Sequence, residues 1–306
     1  MFHCVLPDFV GRKGSRMKEL PTPTFPFSQL GLRAALWPAQ GRTPATTVPV
    51  PAVPVTLPET IDAGRGGISV SWARHQDDVR AAQRLRYEVF AGEMGARLNT
   101  TLEGHDVDLF DDFCEHLLVR DEATLQVIGT YRVLTPAQAR RVGSTYSDTE
   151  FDLTRLRDLR ERMVELGRSC VHADHRQGGV ILALWGALAA FMNRNKLDTM
   201  IGCASIPMWL NGVTSGDAAA SIWRQLSATH MAPIQYQVQP RLPLPVHRLD
   251  GDLDIEPPAL IKGYLRLGAK VLGPPAWDPD FNTADLPMLM RIEDLPARYR
   301  KHFLGN

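Results

Sequence analysis

The sequence predicts a folded domain of mixed α/β class, a mixed sheet with helices on both of its faces. Three observations lead there. Short runs of strand length recur along the chain, at Ile68–Trp72, His116–Arg120, Gln126–Leu134, Met163–Val171 and Thr199–Ala204. Helical patterns fall between these runs rather than in a separate block. The longest apolar run, Val180–Met192, has the length of a buried core helix and falls short of the roughly 18 residues that span a bilayer.

Each element has a local reason. Ile68, Val70 and Trp72 alternate with serine, which reads as a strand. Asp77 or Asp78 then caps a helix reaching about Met94, with Val79, Ala82, Leu85, Val89 and Phe90 in one stripe and Arg80, Arg84 and Glu88 toward water. Arg86 falls inside that stripe, so its charge must be paired or held for a ligand. An acid-rich loop, Glu103–Glu115, precedes the next two strands. A basic helical segment, Asp152–Arg162, leads into the strand Met163–Val171, and the loop His172–Gly179 into an apolar helix ending near Asn193. After a Pro-rich insertion around residues 232–258 come a helix at Pro258–Leu267 and strands near Lys270–Leu272 and Pro287–Ile292.

Composition narrows the function. Lys+Arg and Asp+Glu both total 34, a formal charge of +0, which speaks against nucleic acid as the principal partner. Cys4, Cys114, Cys170 and Cys203 are scattered without CxxC spacing, as expected of free thiols in a reducing compartment. The N-terminus lacks a clean apolar signal segment. The expected location is the cytoplasm, at most peripheral at the inner membrane. Residues 1–66 hold ten of the 23 prolines and are expected to form a disordered leader, with the folded domain at 67–306.

Several residues could carry chemistry. In the loop His175–Gly179, Arg176, Gly178 and Gly179 precede the apolar helix, whose free N–H groups suit an anion such as the phosphate of a phosphopantetheine arm; an ordinary strand-to-helix turn is the plainer reading. Glu165 and Arg168 stand on an otherwise apolar strand, and a bulge at Gly167 would put both on one face. Glu165 could then take a proton from an attacking amine, or the pair could simply brace the sheet. Arg86, Arg132 and Arg168 offer guanidinium groups that match a carboxylate, and loop acids including Asp108 and Asp111 could complement a cationic substrate. His116 and Asp121 form an H-x4-D pair, but a strand between them would hold them roughly 16 Å apart. Cys170, His172 and His175 lack a fourth ligand with zinc-site spacing, so no metal is expected.

At these residues a family resemblance enters. Arg86-Tyr87-Glu88-Val89-Phe90, Asp108, Asp111, Gly129-Thr130-Tyr131-Arg132 and Glu165-x-x-Arg168 resemble the acyl-homoserine-lactone synthases. A closer resemblance is to the bacterial ornithine N-acyltransferases, carried by Phe113–Arg120, by Val171-His172-x-x-His175-Arg176, by Lys262–Lys270 and above all by Pro275–Asp285. It covers about residues 68–304. The resemblance implies the GNAT fold and transfer of a 3-hydroxyacyl group from acyl carrier protein to the α-amino group of L-ornithine, giving lyso-ornithine lipid, with no cofactor beyond the acyl thioester. On this reading Glu165 is the base. Arg86, Phe90, Asp108, Asp111, Arg132 and Arg168 serve the substrate, and Val171, Arg176, Gly178 and Gly179 the acyl–phosphopantetheine arm, with backbone N–H groups near Val171 polarising the carbonyl. The glycine loop departs from the usual GNAT pattern, since Gly178-Gly179 is followed by Val180 and Ile181. The rival readings are a homoserine-lactone synthase, another N-acyl amino acid synthase and an inactive GNAT-like binding module.

Overall fold

The computed structural model describes residues 67–176, 179–210 and 212–304. The leader expected over residues 1–66 lies outside them, as do Gln177 and Gly178 of the glycine loop. Eight strands form one sheet. They are β1 (Ile68–Trp72), β2 (Glu115–Asp121), β3 (Val127–Leu134), β4 (Met163–Val171), β5 (Thr199–Pro207), β6 (Lys270–Val271), β7 (Ala276–Asp278) and β8 (Thr283–Arg291). The order is β1-β2-β3-β4-β5-β8-β6, with β7 also pairing β8. All pairs are antiparallel except β4–β5.

Six helices are named here: α1 (Gln76–Tyr87), α2 (Pro136–Val142), α3 (Val180–Arg194), α4 (Asp217–Thr229), α5 (Ala259–Arg266) and α6 (Ala297–Leu304). They cover both faces, as the period of two in β2 requires. Leu117 and Val119 pack with Val180, Leu184, Leu188 and Phe191 of α3, whereas Leu118 packs with Ala82 and Leu85 of α1. A second cluster seats Ile222 and Leu226 of α4 and Ile261 of α5 on Ala204, Ile206, Ala284 and Leu286.

The start of α1 departs from expectation. His75 is the N-cap, and Asp78 reaches back to accept the backbone N–H of His75 at 3.3 Å. The expected single helix to Met94 instead changes at Glu88 into a π-helical turn, Glu88–Glu93. Arg80, expected in water, is half-buried and donates to Gln83 at 2.8 Å. The basic segment expected as a helix is a 3-10 stretch, Thr154–Leu159.

Strand β8 begins four residues before the expected Pro287, which sits inside it. A proline in a central strand leaves one carbonyl without its N–H partner. Here that carbonyl belongs to Leu272, which donates to Pro287 O at 2.8 Å and accepts from Val238 N at 2.9 Å. The missing bond is supplied from outside the sheet.

Candidate active site

Strands β4 and β5 are paired only over Met163–Glu165 and Thr199–Ile201. Gly202 marks the point where they part, because a Cβ there would collide with the Leu166 carbonyl oxygen. Beyond it a cavity of about 210 Å³ opens between Glu165–Ser169 and Cys203–Ser205. Phe90 and Met94 wall it from the π-helical turn and its end, Tyr264 from α5, and Asp278, Phe281 and Asp285 from the β7–β8 hairpin.

Glu165 and Arg168 both line this cavity. The bulge that puts them there is displaced from Gly167. Thr130 pairs with Cys170 and Arg132 with Gly167, so β4 carries one extra residue, and the left-handed backbone is at Arg168, φ 49°. For a non-glycine residue that conformation costs on the order of 1–3 kcal/mol and persists only where the surroundings enforce it. Arg168 is held by Asp106 at 3.0 Å, by Asp108 at 3.1 Å, and between the rings of Tyr146 and Phe281, 5.0 and 4.6 Å from its guanidinium carbon.

The Glu165 carboxylate is buried and accepts the backbone N–H groups of Tyr146 at 2.7 Å and Ser147 at 2.6 Å. Burial raises its pKa above the ordinary carboxylate value and outweighs those donors. A raised pKa makes a carboxylate a better proton acceptor, while the two donors tie it to the turn at 146–147.

The three arginines singled out in the sequence meet, and they meet acids. Arg86 bonds Asp106 and Asp111, both at 2.8 Å, and Arg132 bonds Asp108 at 2.6 Å and Asp111 at 3.0 Å. With Arg168 this makes three guanidiniums on three carboxylates. For Asp111 burial would raise the pKa, but Arg86 and Arg132 outweigh it and hold the carboxyl far below the usual range. Asp108 and Asp111, expected to face a cationic substrate, therefore neutralise the arginines, and neither lines the cavity. Arg86, at 1% exposure, is likewise behind the wall. Phe90, Arg132 and Arg168 line the cavity itself.

The uncompensated charge is elsewhere. Asp278 and Asp285 are both buried and line the cavity, with Glu150 close by. Among the described residues none of the three has an ion-pair partner. Burial first, and then the charge of Asp278, pushes Asp285 up to about 6; burial and both aspartates push Glu150 up to about 8. These acids carried no role in the sequence reading, although Asp278 and Asp285 belong to the Pro275–Asp285 block. The available signal was an aspartate at the head of the apolar run Leu286–Met290.

Among the described residues of the glycine loop, His175, Arg176 and Gly179, none lines the cavity. Val171, paired with Gly129, accepts at its carbonyl from Arg176 Nε at 3.0 Å, and Arg176 also bonds Glu93 at 2.6 Å. Because Met94 lines the cavity, that bond ties the loop to the cavity's rim. Gly179 caps α3. Of the H-x4-D pair, Asp121 is spent on the turn at Ala123 and Thr124, and His116 bonds the Asp111 carbonyl. No three His, Cys, Asp or Glu side chains among the described residues are grouped to hold a metal.

Two apolar pockets of about 50 and 40 Å³ adjoin the cavity, and all three spaces share Tyr131, Leu166 and Tyr264. The pockets are walled by Trp185, Leu188, Met192, Met200, Met288 and Met290, among others.

Comparison with known proteins fits this arrangement. Residues 85–186 match the acetyltransferase (GNAT) domain. An L-ornithine N(alpha)-acyltransferase of Brucella abortus is 35% identical over 263 residues, 80% of this chain and 92% of that protein. The chain belongs to the L-ornithine N(alpha)-acyltransferase family. A second relative of that name, from Rhodobacter capsulatus, is 34% identical over 76% of this chain and 92% of its own length. Among solved structures, the acyl-homoserine-lactone synthase LasI aligns over 81% of this chain and 96% of its own, at 12% identity and a TM-score of 0.45. With the match to the GNAT domain and to these relatives, the mixed sheet with helices on both faces is the GNAT acyltransferase fold. No helix among the described residues is long and apolar enough to cross a membrane.

Proposed function

We propose that this enzyme transfers a fatty acyl group, 3-hydroxylated and carried on acyl carrier protein, to the α-amino group of L-ornithine, giving lyso-ornithine lipid. The observation that carries the reading is the polarity of the cavity. Its lining includes two carboxylates with no ion-pair partner among the described residues, and it adjoins two apolar pockets. Ornithine brings two ammonium groups, and an acyl thioester brings the apolar chain. Asp278 and Asp285 complement the side-chain ammonium, while Arg132 and Arg168, which line the same cavity, offer the α-carboxylate guanidinium N–H groups beyond those spent on the aspartates.

The ammonium first gives up a proton to solvent, and the neutral amine attacks the thioester carbonyl; the C–N bond forms as the C–S bond breaks. Glu165 accepts a second proton from the attacking nitrogen, directly or through water, and returns it to the departing sulfur, so the thiol leaves protonated and the carboxylate is restored. Backbone N–H groups of β4 near Val171 would polarise the carbonyl. The arm enters over the rim to which Arg176 is tied through Glu93. The test supplies a 3-hydroxyacyl carrier protein with ornithine, lysine, or norvaline, which lacks the second amine. Amide formation with ornithine and a kcat/KM at least 10²-fold lower for norvaline is expected, within the range for leaving buried charges unpaired. No amide with ornithine would reject the reading.

A further inference from the structure

The larger cavity and the two apolar pockets meet at a neck, and the neck is polar. Tyr131 and Tyr264 touch hydroxyl to hydroxyl there, one from β3 and one from α5, and the Ser169 side chain of the β4 bulge is close to both. Ser169 also lines the larger cavity, so the cluster faces the side where the thioester reacts. Beyond it the walls are almost wholly apolar: leucine, isoleucine, methionine and Trp185.

Phenylalanine would fill the same space at either tyrosine without bringing a hydroxyl in beside apolar pocket walls, a burial that is costly unless the group is bonded. Burial raises both phenols above their ordinary pKa, so each keeps its proton through the neutral range. Three hydroxyls also have more lone pairs than protons. A ligand hydroxyl, which both donates and accepts, can join such a cluster without leaving a partner unmade. A methylene cannot. The Trp185 ring lies 5.9 Å from that of Tyr264, and an added Cβ on Gly263 would come within 2.6 Å of Trp185, so α5 and α3 are packed tightly beside the neck.

We propose that Tyr131, Tyr264 and Ser169 are the specificity-determining residues that read an oxygen substituent on the first few carbons of the acyl chain. The proposal rests on the reading above that the pockets take the acyl chain. Hydroxyl position matters, because only the carbons nearest the carbonyl lie in the neck.

The test uses the full chain and neutral N-acetylcysteamine thioesters of decanoic, 3-hydroxydecanoic and 10-hydroxydecanoic acids. Affinities are measured by calorimetry without acceptor, and turnover separately with ornithine. The 3-hydroxy thioester should bind about tenfold more tightly than the unsubstituted one, the scale of one neutral hydrogen bond. The 10-hydroxy compound should show no such gain. In Tyr264→Phe and Ser169→Ala the preference should fall to within about twofold; Tyr264 is only half-buried, so that variant serves if Tyr131→Phe does not fold. Equal binding of all three thioesters, an equal gain from the terminal hydroxyl, or an unchanged preference in the variants would overturn the proposal. Failure of turnover with ornithine alongside an intact binding preference would instead reject the acceptor reading and leave this one standing.

Discussion

A carboxylate that takes two backbone N–H groups can be a brace or a base, and at Glu165 the two roles are separable. Glu165→Gln keeps one acceptor but turns its NH₂ toward an N–H donor, so it should lower the melting point as well as activity. If Glu165 takes the proton, kcat should fall on the order of 10²-fold while the KM for ornithine changes little. A melting-point loss with kcat near wild type would leave only the brace. Asp285 behaves oppositely. Its pKa rises from 3.8 to about 6 on folding, so the folded state binds the proton more tightly than the unfolded one. The stability this gives is fully present below pH 3.8 and is lost as the pH rises through about 6. Asp285→Asn should therefore stabilise the protein at pH 8, by at most about 3 kcal/mol, and this gain should vanish near pH 3.5. The same variant should raise the KM for ornithine. A variant no more stable than wild type at pH 8 would mean that Asp285 is already compensated. The sequence showed Glu165, Arg132 and Arg168 as charges among apolar neighbours, and all three line the cavity. It did not show that the loop acids would be consumed by the arginines. That pairing links Arg86 to Asp106 and Asp111, some 20–25 residues apart, and Arg168 to Asp106 across 62.

Strands and the apolar helix were legible because burial on one or both faces leaves a pattern in the chain. Strand β4 and the start of helix α3 fall where expected, over Met163–Val171 and from Val180. Other elements were legible but missed. Thr135-Pro136-Ala137-Gln138 is a capping box with proline at the first helical position, and it opens α2; Thr135 accepts from Gln138 N at 3.4 Å. Helix α4 escaped because its buried face is mainly alanine and serine, Ala218–Ser221, which reads weakly as an apolar stripe. The fork between β4 and β5 was beyond reach, since it depends on where two distant strands stop pairing. Gly202 tests it. In Gly202→Ala the new methyl meets a backbone carbonyl, which cannot swing away as a side chain can. A destabilisation of about 1–3 kcal/mol is expected, the usual cost of overpacking, with poorer acyl binding as the fork shifts. An unchanged melting point and unchanged thioester affinity would show that the strands have room to spare there.

At the scale of the molecule, a formal charge of +0 conceals how locally the charge is balanced. The basic stretch Arg155–Arg162 and the pair Arg140–Arg141 look in sequence like a surface for an acidic partner. In the structure Arg140 bonds Glu161 at 3.0 Å, Arg160 bonds Asp148 at 2.6 Å and Arg162 bonds Asp198 at 2.5 Å, while Arg157 lies 3.6 Å from Asp158. Among the described residues Arg141, stacked on Phe113, and Arg155, donating to the Ile234 carbonyl, have no acid partner. An acidic carrier protein docking here would compete with weak surface pairs, each worth about 0–1 kcal/mol, so exchange of partners costs little. The contact would nonetheless be electrostatic and screened beyond about 8 Å at physiological ionic strength. The measurement compares one 3-hydroxyacyl chain on acyl carrier protein and on coenzyme A, with ornithine as acceptor, at low and high salt. The carrier-bound chain should give the larger kcat/KM, and the gap should narrow as salt rises. Arg141→Glu and Arg155→Glu should lower kcat/KM for the carrier donor several-fold and leave the coenzyme A donor alone, because neither residue lines the cavity. Equal use of both donors at every salt concentration would remove the carrier protein from the reaction and leave the free thioester as donor.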